Sequence, residues 1–150
     1  MLKHDPHLPL LFFVLLLFAS ISGCGSSASG TAAVSGRVTY KGKPLAKANV
    51  SFTPAEGATR AAEGLTDSNG RYTLGTFAAG DGALPGKYRI SVIARGPDRP
   101  PKAGETGSGM PGEMMAGDPI IPIKYFTPDS SGLTAEVKRG GNRVDLELKD

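Results

Sequence analysis

From Ala33 onward, apolar and polar residues alternate in short runs. Val34, Val38 and Tyr40 fall on one face while Ser35, Arg37 and Thr39 fall on the other, the period of a strand with one buried side. The same period recurs four times more. Val50 and Phe52 alternate with Asn49, Ser51 and Thr53, and Tyr72 and Leu74 with Arg71 and Thr73. Tyr88, Ile90, Val92 and Ala94 alternate with Lys87, Arg89 and Ser91, and Val144, Leu146 and Leu148 with Arg143, Asp145, Glu147 and Lys149. A weaker run carries Leu133, Ala135 and Val137. Turn signals separate the runs: Lys41-Gly42, Asp67-Ser68-Asn69-Gly70, Pro85-Gly86 and Gly140-Gly141-Asn142. An Asx side chain at the head of such a turn bonds the backbone beyond it, and Pro-Gly has the order that a type II turn takes at its centre. No window carries a helical stripe. The pattern predicts an all-β domain over residues 33–150, about seven short strands folded as an antiparallel sandwich whose sheets each bury one face.

Two stretches lie outside the alternation. Residues 96–118 are rich in Gly, Pro and charge and run longer than loops in compact domains usually do, so they are expected to form a mobile insertion after the Tyr88 strand. At the other end, Leu10 to Phe18 is an unbroken apolar run. It is too short to span a bilayer, which takes ~20 apolar residues, and suits the ~7–15 of a signal-peptide core. Lys3 precedes it, and Ile21-Ser22-Gly23-Cys24 follows. That string resembles the lipobox of bacterial lipoproteins. The resemblance implies a signal peptide over residues 1–23, cleavage before Cys24 and a diacylglycerol on its thiol. Residues 24–32, rich in Gly, Ser and Ala, then read as a flexible tether. Gly25 stands where some bacteria place an Asp that retains a lipoprotein in the inner membrane, so the expected location is the cell envelope, extracytoplasmic, at the outer membrane where two are present.

Composition narrows the chemistry. The 150 residues hold one cysteine, two histidines and no tryptophan, with a formal charge of +3. Loss of residues 1–23 removes Lys3 and Asp5 together and leaves that charge unchanged. It is too slight, and too scattered, to suggest a nucleic-acid partner. Both histidines, His4 and His7, fall in the signal peptide, so the remaining chain has no Ser-His-Asp triad, Cys-His pair or His-based zinc site to offer. No catalytic residues, metal or cofactor are therefore expected. Asp67 with Asn69 lacks the further oxygen ligands of a calcium loop and reads as a turn. Met110, Met114 and Met115 offer soft thioethers suited to Cu(I), but with no His or Cys beside them.

The strand runs also carry a family resemblance. Val34-Ser35-Gly36-Arg37-Val38, then Gly42-Lys43-Pro44-Leu45-Ala46 and Ala48-Asn49-Val50, look like the opening of carboxypeptidase regulatory-like domains. Thr66-Asp67-Ser68-Asn69-Gly70-Arg71-Tyr72 and Leu84-Pro85-Gly86-Lys87-Tyr88-Arg89-Ile90-Ser91-Val92 follow in the family order. The resemblance covers most of residues 33–95 and implies a transthyretin-like Greek-key sandwich. Residues 120–150 are expected to add the closing strands, with Ile123-Lys124-Tyr125 and Ser131-Gly132-Leu133 similar to short bacterial lipoproteins of this type. Related adhesin-type sandwiches join a Lys to an Asn by an isopeptide bond, but no motif fixes Lys41 or Lys43 to Asn142. The expected function is that of a non-enzymatic, lipid-anchored binding or structural module with a membrane, an envelope protein or a glycan as partner. Tyr125 and Phe126 follow Ile120, Ile121 and Ile123 in the densest apolar cluster after the signal. Packing on the sandwich edge is their expected role. The alternative is a ligand surface in a carbohydrate-binding accessory domain.

Overall fold

The structure, a computed structural model, describes residues 30–105, 110 and 113–150. The expected signal peptide, Cys24 and most of the tether lie outside the described residues. What is described is a sandwich of two β-sheets. The first sheet is built on β1 (Val34–Tyr40), which pairs antiparallel with β2 (Lys43–Pro44) and β5 (Arg71–Thr73), and parallel with β8 (Asn142–Arg143) and β9 (Leu146–Leu148). The second has the order β4-β3-β6-β7, from β3 (Asn49–Glu56), β4 (Ala62–Leu65), β6 (Gly86–Ile93) and β7 (Leu133–Val137), all antiparallel.

The inward positions of the two sheets form one core. Val34, Val38, Tyr72, Leu74, Leu146 and Leu148 come from the first sheet, and Val50, Phe52, Ala62, Tyr88, Ile90, Val92 and Val137 from the second. Phe52 stands between two tyrosines, its ring centroid 6.5 Å from Tyr72 and 5.7 Å from Tyr88, both pairs tilted. Such geometry joins the quadrupole of one ring to the edge of the next. Each buried hydroxyl finds a carbonyl: Tyr72 donates to Val144 at 2.6 Å and Tyr88 to Leu84 at 2.7 Å.

The turns differ in kind. Lys41 and Gly42 both adopt positive φ, 51° and 76°, which closes the two-residue hairpin between β1 and β2 with the hand the strands require. The Asp67 carboxylate accepts the amides of Asn69 and Arg71, each at 2.8 Å, so Asp67 closes the connection from β4 to β5 as a turn residue. Pro85-Gly86, where a type II turn is expected, is instead a bend that leads directly into β6, and the Leu84 carbonyl is taken by the Tyr88 hydroxyl. Asn142 bonds both the amide and the carbonyl of Lys138, and Lys41 pairs with Asp150 at 2.7 Å.

The closing strands expected within residues 120–150 are present as β7, β8 and β9, but they begin only at Leu133. Before them, Ile123–Phe126 is a 3₁₀ turn and Pro128–Ser131 a short helix, α1. Pro122 and Pro128 bracket the 3₁₀ turn, and proline favours the first turn of a helix while withholding a ladder donor. The Ser131 hydroxyl anchors α1 by donating to the Ile90 carbonyl of β6. The predicted tether ends one residue early: Ala32 is buried and exchanges backbone bonds with Ala83, 2.8 and 3.0 Å.

The arms of the 96–118 insertion, expected to be mobile, are tied where they are described. Gly96 N–H bonds the Asp118 carbonyl at 2.9 Å, and Arg99 and Met115 exchange bonds of 2.9 and 2.7 Å. The Arg99 guanidinium grips Glu105 at 2.8 and 2.9 Å and Asp118 at 3.1 Å, while Lys102 adds a second contact to Asp118 at 2.9 Å. Composition overlooks this clasp because its stabilising contacts are main-chain bridges and charges, not apolar alternation.

Candidate functional site

The outward face of the first sheet carries arginines where alternation calls only for polar residues. Antiparallel pairing sets Arg37 of β1 directly opposite Arg71 of β5, and Ser35 opposite Thr73. Parallel pairing on the other side sets Arg143 of β8 opposite Ser35. These residues, with Gly36, Tyr72, Asp67 and Leu65, line an open groove of about 680 Å³. Residues directly opposite on neighbouring antiparallel strands hold their Cβ atoms ~4.5–5.5 Å apart, where like charges destabilise. Arg37 and Arg71 are such a pair. Neither guanidinium has an ion-pair partner among the described residues, and the Arg37 Nε is buried without a hydrogen-bond acceptor.

A break between β8 and β9 shapes one side of this groove. At Val144-Asp145 the strand keeps its register along β1, since Ser35 faces Arg143 and Val38 faces Leu146, but its ladder is interrupted. The Val144 carbonyl turns inward over Gly36 and accepts the Tyr72 hydroxyl. In its place the Asp145 side chain accepts the Arg37 amide at 2.9 Å and the Arg143 Nε at 2.9 Å. The Arg143 guanidinium, then the Arg37 amide, hold the Asp145 carboxyl below its usual range. Burial, with the Asp145 charge a lesser cause, pushes the Tyr72 phenol well above its own, so it stays a donor at any physiological pH.

Where β4 meets β5, the second sheet closes the other end. Glu63 and Gly75 exchange bonds of 3.0 and 2.8 Å across the corner. A Cβ on Gly64 would lie 2.4 Å from the Thr73 carbonyl, so only glycine lets the strands approach this closely. The approach leaves Leu65 66% exposed at the groove, an apolar contact beside two free guanidinium groups. Chemically, the groove offers planar donors for a carboxylate or phosphate, hydroxyls from Ser35 and Thr73, and an apolar edge.

The residues singled out in the sequence lie elsewhere. Tyr125 is buried, 6% exposed, with its hydroxyl between the carbonyl and amide of Lys149 at 2.9 and 3.0 Å. Its ring belongs to the core and presents no open face, in keeping with a packing role. Phe126 is half-buried, with the Arg95 guanidinium 4.9 Å from its ring centroid. Met110 and Met114 are exposed, while the Met115 backbone is engaged by Arg99. Among the described residues no cluster of three His, Cys, Asp or Glu is placed to hold a metal ion, and no helix is long and apolar enough to cross a membrane. Cys24 is outside the described residues.

Known proteins add little. No protein-family model matches the chain, and no curated protein matches it. Among solved structures it is similar to a DUF3823 family protein from Parabacteroides merdae, at 16% identity and a TM-score of 0.37, over 78% of this chain and 45% of that one. This chain thus spans less than half the length of that protein, and a likeness of that degree carries no argument about activity.

Proposed function

We propose that the chain is a lipid-anchored, non-enzymatic binding module of a bacterial cell envelope. The thiol of Cys24 carries the lipid after removal of residues 1–23, and the sandwich is held outside the membrane by the short segment that follows. Acyl burial contributes ~0.8 kcal/mol per CH₂, so two or three chains anchor durably where one does so marginally. The single observation that carries the binding part is the groove on the first sheet, where Arg37, Arg71 and Arg143 outnumber the carboxylates of Asp67 and Asp145. A transthyretin-like sandwich of the carboxypeptidase regulatory-like kind fits the tasks of the motif residues. Gly36 admits the Val144 carbonyl, Asp67 closes its turn, and Tyr88 fixes the entry to β6. Glycan recognition belongs in this reading to the arginine groove and not to the buried Tyr125 and half-buried Phe126.

The anchor is tested by replacing the thiol. Cys24→Ser should abolish incorporation of labelled palmitate in a bacterial host and leave an uncleaved precursor on a denaturing gel. Normal labelling and processing of the variant would remove the lipoprotein from the proposal.

A further inference from the structure

We infer that the groove between β5, β1 and β8 binds an acidic saccharide, with Arg37 and Arg71 gripping a carboxylate or phosphate group. The inference rests on the reading of the chain as a binding module and deepens it. Strand register sets Arg37 and Arg71 opposite each other on one face of the sheet, where like charges are unfavourable. Asp67 lines the same groove and the Asp145 carboxylate feels the Arg37 charge, but against Arg37, Arg71 and Arg143 these two carboxylates leave the groove with a net positive charge. The buried Arg37 Nε has a donor to give and no acceptor to take it, and such groups ordinarily find partners. An oxyanion seated between the two arginines takes their terminal nitrogens and offsets the net positive charge, through the forked donors that suit a planar or tetrahedral anion.

The rest of the lining selects the carrier of that anion. Ser35 and Thr73 bring hydroxyls to the same open face, and Leu65 offers an apolar edge. These match the hydroxyls and C–H faces of a sugar. A peptide bound by strand addition would need a sheet edge with free main-chain groups, whereas β1 has neighbours on both sides and the Arg37 amide is taken by the Asp145 side chain.

The experiment titrates the full chain, solubilised in detergent, by calorimetry against four probes: hexagalacturonate, its full methyl ester, a short mannose-phosphate oligomer and inorganic phosphate. Hexagalacturonate or the phosphate oligomer, whichever matches the natural anion, should bind with an affinity that falls as salt is raised. Arg71→Gln should weaken that binding about tenfold or more. Arg37→Gln should do the same, and because its side chain is partly buried the exposed Arg71 variant is the deciding one. Arg89→Gln, on the second sheet and paired with Asp129, should change nothing. Equal binding of the methyl ester, or no binding of either acidic oligomer, would overturn the inference. So would inorganic phosphate binding as tightly as the oligomers, since the groove would then hold an anion without its saccharide. In each of those cases palmitate labelling at Cys24 still judges the anchored module separately.

Discussion

Gly36 shows how one residue sets both the strand break and the groove. A Cβ there would lie 1.8 Å from the Val144 oxygen, 2.6 Å from the Val144 carbonyl carbon and 3.0 Å from the Tyr72 hydroxyl. The obstacle is backbone, so no side-chain rotation relieves it. Gly36→Ala must push Val144 outward, which breaks the Tyr72 bond and moves Asp145 away from Arg37 and Arg143. Overpacking of a tight site costs about 1–3 kcal/mol, and the buried Tyr72 donor left unpaired adds about 1–3 kcal/mol. Urea unfolding of the variant should therefore show a loss of at least about 2 kcal/mol. A change within about 0.5 kcal/mol, the range of an ordinary surface substitution, would mean that the break between β8 and β9 adjusts freely.

At the scale of elements, the clasp in the insertion makes a statement about pH. The Arg99 guanidinium, followed by the Lys102 amide, holds the Glu105 carboxyl down to about 2. A carboxyl depressed in the folded state stabilises above its ordinary value of 4.5, and that stabilisation is lost as pH falls from there through about 2. Carbon-detected NMR should place the Glu105 midpoint near 2, with the protection of the Arg99 and Met115 amides, relative to their intrinsic exchange rates at each pH, falling over the same interval. A midpoint near 4.5 would show that the clasp is open in solution. The clasp also marks what a period of two does not reveal. Alternation locates β1, β3, β5, β6, β7 and β9, because each buries apolar side chains on one face. It passes over β4, whose Ala62-Glu63-Gly64-Leu65 shows one small inward side chain and an outward leucine. It assigns nothing to Ile123–Phe126, where two prolines bracket a 3₁₀ turn. The groove is less legible still. Arg37, Arg71 and Arg143 occupy ordinary polar positions of three separate runs, and only register brings them together. The recurrence of arginine at outward positions of β1, β5 and β8 is the one signal in the sequence that pointed there.

For the whole molecule, the decisive pairings are long-range. β1 lies in parallel against β9 near the other end of the chain, and β6 pairs with β7 across the insertion from Gly86↔Val137 to Ile90↔Leu133. The insertion thus joins two halves that already meet in both sheets. Trypsin should cut after Lys102, whose side chain is 60% exposed and which precedes Ala103, while the Arg99 bond precedes Pro100 and resists the enzyme. The nicked fragments should co-elute in native size exclusion and separate only in denaturant. Circular dichroism should keep its β signature, since the nick removes no strand. The melting temperature, independent of concentration in the intact chain, should rise with protein concentration after nicking, because refolding has become association. Fragments that part without denaturant would mean that the pairings of β1 with β9 and β6 with β7 are too weak to hold the sandwich, and that the insertion itself supplies the connection.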